Sequence, residues 1–368
     1  MTDAETPKAS VEKILGDFHA REDTLESFCF RTKSLVEAIL QDAEIPYQSI
    51  QFRVKSADKV KKKFLNPDKN YKQLDDITDL AGLRIITYYE DDIDRVAKVI
   101  KREFDFDPKN SVDKRETEPD RFGYSALNYV CRHSPKRTSD VEYKKFAGVC
   151  CEIQITSILR HAWSEIEHDW YDLRDAYPRS VKRRFYRLAA LLDIAESEFQ
   201  DLRQQKADFE RSVALRVEAK SPDVLVDAVS LRPFIEQEPI VKEIDETVSK
   251  VLKTEPTAEL TDATLEAKAR ALTLGGISTL QALRAALSKY KDALPEFASR
   301  CVETCAWPRG AAGRAIPAGV SVHQLGIFLM SLKGQEVMQE YLSSAKIRPD
   351  SIDLARQVAV AREIFSKY

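Results

Sequence analysis

Two carboxylates, Asp79 and Glu152, are candidates for a metal-binding or catalytic role. Glu152 lies in the alternating segment GVCCEIQIT, where a strand places it on the same face as Gln154 and places Cys151 and Ile153 on the opposite face. A carboxylate on a buried strand is costly unless a cation lies beside it. We therefore expect a metal ion or a basic side chain next to Glu152, the alternative being an ordinary salt-bridged glutamate.

Basic residues cluster where a predicted strand is followed by a predicted helix. The segment SIQFRVK alternates as a strand does, with Arg53 and Lys55 on one face. Ser56 then occupies the N-cap position of a helix over ADKVKKKFL, which contains Lys63. Cationic groups of this kind bind phosphates. The other lysines of the KKK run are interpreted as a solvated helix face.

A third group of polar residues lies on two further predicted strands. Tyr124 and Asn128 share one face of a strand predicted over 124–133, and Gln154 follows Glu152 on the next strand. For Tyr124 the alternative is an aromatic residue of the core. Phosphate-binding cations, carboxylates for a divalent ion and an aromatic platform within one domain are typical of phosphoryl transfer.

The elements that position these residues predict an α+β fold, a mixed sheet with helices packed on it. The charged segment 105–121 is predicted to be an irregular loop, and Ile158, Ala162, Ile166 and Trp170 to form the apolar stripe of a helix. Pro178 is predicted to begin a helix that continues to about residue 218. Helices are further expected over 9–44 and 92–103, strands over 49–55 and from 148 onwards, and a turn or short helix that enters a strand over 79–89.

Composition and hydropathy bound the class of protein. With 368 residues, 43% apolar and 32% charged, the chain is predicted to be globular with several domains. The net charge of −3 gives no overall basic character, so nucleic-acid binding would depend on local patches. No run of about 18 apolar residues predicts a membrane span, and the polar N-terminus lacks a secretory signal, so we expect a cytoplasmic protein.

Proline content and periodicity predict four segments. These are N-terminal helices over 1–44, a sheet domain with a trailing long helix over 45–218, a connector with short helices over 219–254 and a helical domain over 255–368. The six cysteines include no CxxC pair and are interpreted as free, mostly buried thiols. Cys301 and Cys305, with His323, form at most half of a zinc site.

Four motifs in residues 45–200 closely resemble those of the RelA/SpoT synthetase family, ATP-dependent pyrophosphate transferases with a nucleotidyltransferase-like domain. The motifs are FRVKSADKVKKKF, DITDLAGLRIITYYEDDI, RFGYSALNYV and CEIQITSILRHAWSEIEHDWY. They occur in the order and with the spacing of the family. The hydrolase half of the bifunctional members is absent, since the His/Asp metal cluster that it needs does not occur in the first 45 residues.

The resemblance implies a role for each candidate residue. Asp79 and Glu152 would bind Mg²⁺, and Glu152 would also activate the 3′-hydroxyl of the acceptor. Tyr124 would stack on the acceptor base, with Asn128 and Gln154 beside it. The residues implied in ATP binding are Arg53, Lys55, Ser56, Lys63 and Arg84.

Departures from the family bear on the acceptor. The K-D-Y-I…P-K pattern is replaced by SVDKRETEPDRF, the family's histidine by Asn128 and an arginine by Thr156. Loss of these basic groups weakens the case for binding the phosphates of free GDP or GTP. The donor site and the metal site are not affected by these changes.

A toxic subgroup of the family, including fused CapRel-type proteins, offers an alternative acceptor, the 3′ end of tRNA. In such proteins a C-terminal antitoxin region covers the active site and senses phage proteins. The RFGY and HAWSEIEHDWY segments and the chain length resemble this subgroup, although no Y-x-x-Y motif occurs in the C-terminal region. Two rival hypotheses stay open: (p)ppGpp synthesis from GDP or GTP, and an inactive nucleotide-binding sensor. The candidate tRNA contacts are Arg179, Lys182, Arg183 and Arg184. The alternative is that these residues are only the solvated start of a helix.

Overall fold

The computed structural model describes residues 7–69, 71–115, 126–171, 177–254, 256–257, 260–304, 316–345 and 352–367. The chain divides into two compact units, Met1–Arg203 and Gln204–Tyr368. Each unit has its own apolar core. Within the described residues, every helix is too short or too polar to cross a membrane.

The first unit is built on a five-stranded mixed sheet. The elements are α1 (Pro7–Asp42), β1 (Ser49–Val54), α2 (Ala57–Phe64), β2 (Ala81–Thr87), α3 (Asp91–Glu103), β3 (Phe104–Asp113), β4 (Leu127–His133), α4 (Pro135–Thr138), β5 (Cys150–Ser157), α5 (Ile158–Tyr171) and α6 (Arg179–Glu218), which continues into the second unit. The strand order is β1-β2-β5-β4-β3; β2 and β5 are parallel, and the other neighbouring pairs are antiparallel. This arrangement confirms the predicted α+β class.

One face of the sheet forms the core of this unit. Ile153 and Ile155 of β5 are fully buried and belong to the same apolar cluster as Phe18 and Phe28 of α1 and Val96 of α3. Because side chains alternate along a strand, Glu152 and Gln154 point to the opposite face, as predicted. The core therefore fixes which residues of β5 are available for chemistry.

Two predictions about the first unit are wrong. The segment predicted as an irregular loop contains strand β3, an edge strand with an irregular register between Asp107 and Val112. Edge strands tolerate the polar residues and the proline that hid its alternation. In α5, Ile158 and Ile166 are 39% and 52% exposed, whereas Trp163 is buried and packs against Phe185. The buried side of α5 is therefore centred on Trp163. The side chain of Trp170 lies outside the described residues.

The second unit is helical apart from the two-residue strands β6 (Pro256–Thr257) and β7 (Ile316–Pro317) in its described part. Helix α9 ends at Gly275, and Gly276 follows with a φ of 97°. The segment predicted as a connector forms two helices, whose Phe234 and Val241 lie in the core of this unit. Its helices are α7 (Ala228–Gln237), α8 (Pro239–Leu252), α9 (Asp262–Gly275), α10 (Leu280–Lys289), α11 (Ala293–Thr304), α12 (Val320–Lys333), α13 (Gln335–Ser344) and α14 (Leu354–Phe365).

The cysteines of the described residues are free thiols, as expected from their spacing. Burial raises the pKa of Cys29 to about 11 and that of Cys131 to about 12. His323 Nε2 lies 2.9 Å from the Tyr341 hydroxyl, and the described residues contain no group of three or more potential metal ligands. Cys305 lies outside them, and Cys301 is buried in the core, so the described part of the chain gives no support to the zinc half-site.

We expect His133 to make the first unit sensitive to acid. Its Nε2 lies 2.9 Å from Thr32 Oγ1, and because the Thr32 hydroxyl donates to the Phe28 carbonyl, Nε2 is the donor to Thr32. Burial, with a smaller contribution from Arg137, lowers the pKa of His133 from 6.5 to about 4. The unfolded chain binds a proton near pH 6.5, so stability is intact above that pH and is lost as the pH falls towards 4.

We expect the free energy of unfolding to fall by about 3 kcal/mol as the pH is lowered, and we expect His133→Leu to remove most of this pH dependence. The readout is hydrogen exchange of the β4 and β5 amides between pH 7 and pH 4. Exchange local to these strands is needed because burial also lowers the pKa of His323, in the second unit, to about 4. An unchanged pH dependence in the variant would contradict the assignment.

Candidate active site

Strand register brings the candidate residues into two adjacent rows on the exposed face of the sheet. Arg53, Gly82 and Glu152 are neighbours across β1, β2 and β5. The next row contains Arg84, Gln154 and Asn128. The face thus carries both the cationic and the carboxylate groups that the sequence suggested.

Asp79 lies just before β2 and binds two lysines. Its Oδ2 is 2.7 Å from Lys55 Nζ and 2.7 Å from Lys63 Nζ, while its Oδ1 is buried without a hydrogen-bond partner. Burial alone would raise the pKa of Asp79, but the hydrogen bonds from the two lysines outweigh it, and the pKa lies below its usual value. The carboxylate is therefore ionised at neutral pH, and both lysines point at it.

Glu152 lies on the same face and is largely enclosed. Burial, and then the negative charge of Asp79, raises the pKa of its carboxyl, while the charges of Lys63, Lys114 and Lys55 act in the opposite direction. Among the described residues, no side chain forms an ion pair with Glu152. The sequence therefore correctly indicated a costly buried carboxylate, and its nearest opposing charges are lysines.

Arg84 is held by a chain of polar side chains on the exposed face. Its Nε donates to Gln154 Oε1 at 2.7 Å, and Gln154 Nε2 is 3.5 Å from Asn128 Oδ1. Its Nη1 forms an ion pair with Glu165 of α5 and lies 3.4 Å from His161 Nδ1. Gln154 and Asn128, which the resemblance assigned to the acceptor, orient this arginine in the structure.

A cleft of about 380 Å³ opens above these residues. Gly82 lies between Arg53 and Glu152, and a side chain there would project between them. Lys59, one turn before Lys63 on α2, also lines the cleft. Helical periodicity from Lys63 was the signal that could have identified it. The cleft is lined by Gln51, Phe52, Arg53, Lys59, Gly82, Leu83, Arg84, Glu152, Gln154, Ser164 and Glu165.

The remaining candidates differ in what the structure says of them. Ser56 is the N-cap residue of α2 as predicted, but its side chain makes no capping hydrogen bond. Tyr124 lies outside the described residues. Lys114, whose charge acts on Glu152, directly follows β3 and was not considered because that strand was not predicted.

The basic start of α6 is exposed. Arg179, Arg183, Arg184 and Arg187 are exposed and form no ion pair within the described part of the chain. Lys182 is half-buried. Basic residues in the first turns oppose the helix dipole, so the arginines are placed where they do not stabilise the helix.

The two carboxylates fit a divalent cation. Oxygen ligands suit Mg²⁺, which commonly takes one or two carboxylates and completes its shell with water and phosphate oxygens. Asp79 Oδ1 is a buried acceptor without a partner, and the charge of Asp79 raises the pKa of Glu152, so a cation between them would relieve both costs.

A mixed sheet with two carboxylates, clustered cations and an open cleft beside them suits the transfer of phosphate groups. Residues 52–175 match the family described as "Region found in RelA / SpoT proteins". Residues 52–175 thus carry a RelA/SpoT-type region, and the similarity of the chain to GTP pyrophosphokinases supports an enzyme of the pyrophosphokinase class.

Two curated relatives are from Bacillus subtilis (strain 168). The chain is 26% identical over 166 residues to GTP pyrophosphokinase YjbM, covering 44% of this chain and 75% of that protein. It is 30% identical over 140 residues to GTP pyrophosphokinase YwaC, covering 37% and 64%. The crystal structure of small alarmone synthetase 1 from Bacillus subtilis aligns with a TM-score of 0.44 and 20% identity, covering 52% of this chain and 98% of that one.

Proposed function

We propose that the chain transfers the β,γ-diphosphate of ATP to a 3′-hydroxyl, with the tRNA 3′ end as acceptor and Mg²⁺ as cofactor. The observation that carries the proposal is the pair of coupled carboxylates, Asp79 and Glu152, beside Lys55 and Lys63. Carboxylates for a cation and lysines for phosphates are what transfer from a nucleotide requires.

Each side chain has a role in this reaction. Arg53, Lys55 and Lys63 bind the triphosphate and align it with the acceptor. Glu152 accepts the proton of the 3′-hydroxyl, whose oxygen forms a bond to the β-phosphorus as the bond to the α-phosphate oxygen breaks and AMP leaves. A raised pKa suits Glu152 to this role, because a stronger base takes the proton more readily. Mg²⁺ held by Asp79 and Glu152 would neutralise charge on the phosphates.

The acceptor is the finer part of the proposal. The exposed arginines at the start of α6, which form no ion pair with any described residue, support an acceptor with a phosphate backbone, because nucleic-acid affinity comes largely from such contacts. GDP or GTP is the second candidate, supported by the names of both relatives, which are GTP pyrophosphokinases. Incubation with γ-labelled ATP and tRNA, GDP or GTP separates them. Label on GDP or GTP and none on tRNA would refute the tRNA acceptor, and no label on any acceptor would favour the inactive sensor.

Arg183→Glu with Arg187→Glu is expected to lower labelling of tRNA at least tenfold and to leave ATP binding unchanged. Each lost phosphate contact should also reduce the log–log salt slope of tRNA binding by about one. The control is the double variant Lys61→Glu and Lys62→Glu, whose lysines are exposed on α2. Equal losses in both variants would mean that only total charge matters.

We further propose that the helical second unit inhibits the first as an antitoxin, with a phage protein as the trigger that relieves inhibition. Because residues 228–252 pack in the core of the second unit, a cut near residue 255 would divide that core. A cut after Glu218 leaves only the end of α6, with Val213 and Val217, attached to the first unit. Residues 1–218 should arrest growth when expressed, whereas the full chain should not, and Glu152→Gln should abolish the arrest. Equal toxicity of both chains would refute inhibition.

A further inference from the structure

The two lysines expected to bind ATP phosphates are bound to the carboxylate expected to bind the metal. Both ammonium groups lie 2.7 Å from the same oxygen, Asp79 Oδ2. The side chains are 14%, 29% and 17% exposed for Lys55, Lys63 and Asp79, so solvent screens these ion pairs less than it would at the surface. In the absence of nucleotide, the positive charges of the two lysines are therefore paired with the negative charge of Asp79.

This pairing opposes a metal ion that arrives alone. A divalent cation at Asp79 would lie beside two ammonium groups, and it would have to repel them or displace at least one of them. A triphosphate lowers both the repulsion and the cost of displacing a lysine. Its oxygens offer the lysines stronger partners than Asp79, and they bring negative charge to the cation.

We propose that Lys55 and Lys63 keep the carboxylate of Asp79 ion-paired and closed to Mg²⁺ until a nucleoside triphosphate takes the lysines, so that metal and nucleotide bind as one coupled event. The inference rests on the proposed function, in which ATP is the donor. Coupling between two ligands is reciprocal, so the factor by which nucleotide tightens metal binding equals the factor by which metal tightens nucleotide binding.

A simpler coupling must be separated from this one. Triphosphate oxygens are themselves metal ligands, so nucleotide would tighten metal binding even if the lysines played no part. The two accounts differ for the protein without nucleotide. If the lysines close the site, removing one of them strengthens binding of the metal alone; if phosphate ligation is the whole effect, it does not.

The experiment measures Mn²⁺ binding to the full chain by electron paramagnetic resonance, with and without a non-hydrolysable ATP analogue. We expect Lys63→Met to tighten binding of Mn²⁺ alone at least tenfold, to weaken binding of the analogue and to reduce the coupling factor. The matched control is Lys59→Met, which removes an equal charge from the same helix, one turn before Lys63, without breaking a contact to Asp79. We expect it to change Mn²⁺ affinity less than threefold.

Each outcome decides something. Equal effects of Lys63→Met and Lys59→Met, or no effect of Lys63→Met on Mn²⁺ binding, would overturn the closed-site inference. Lys55→Met provides a second variant should Lys63→Met fold poorly by circular dichroism, and the same tightening is expected. If the wild-type chain binds no nucleotide with or without Mn²⁺, the proposed function itself fails.

Discussion

Glu152→Gln is expected to lower the rate of pyrophosphate transfer by about a thousandfold and to change the affinity for an ATP analogue only a few-fold. A positioned general base contributes about 10²–10⁴ in rate, and glutamine has the shape of glutamate without its basicity. Glu152 faces the cleft, forms no ion pair among the described residues and has a raised pKa. Its substitution therefore removes the base and one of the two carboxylates proposed for the cation, while Asp79 and the lysines of the donor site stay in place.

The pH profile provides a second readout for this variant. The base must be deprotonated, so the wild-type rate should fall on the acid side as the Glu152 carboxylate takes up a proton. In Glu152→Gln the residual rate should lose this acid limb. Analogue binding and the melting temperature control for loss of the fold. A variant with full activity would mean that Glu152 is not the base.

Which residues of a single strand share a face was predictable from the sequence, because side chains alternate between the two faces of a strand. Alternation alone placed Glu152 and Gln154 together, and the structure agrees. Strand β3 was missed because an edge strand buries little and carries charge, so its pattern is that of a loop. Lys114 was lost with it.

Contacts between elements were not predictable, because they depend on register and packing. The ion pair of Lys55 with Asp79 requires β1 to pair antiparallel with β2, which sets Val54 opposite Ala81 and brings the backbone N–H of Lys55 to the Leu80 carbonyl. Composition carries no information on that register. The network that orients Arg84 likewise requires α5 to present Glu165 above β2.

A second large effect is expected for Gly82→Leu, because Gly82 forms the floor of the cleft. A Cβ at Gly82 would lie 3.7 Å from Arg53 Cγ and 3.8 Å from the Glu152 carbonyl oxygen, distances of ordinary contact. Alanine should therefore be accepted. A leucine side chain extends further, between Arg53 and Glu152 and into the volume that the nucleotide would occupy.

We expect Gly82→Leu to weaken binding of the ATP analogue at least a hundredfold and Gly82→Ala less than tenfold, with melting temperatures close to that of the wild type. Calorimetric titration measures the affinities. Gly16→Leu is the matched control, because Gly16 lies exposed on α1 with no atom within 4 Å of an added Cβ. Normal nucleotide binding by Gly82→Leu would place the donor site elsewhere, since a nucleotide cannot share this floor with a leucine.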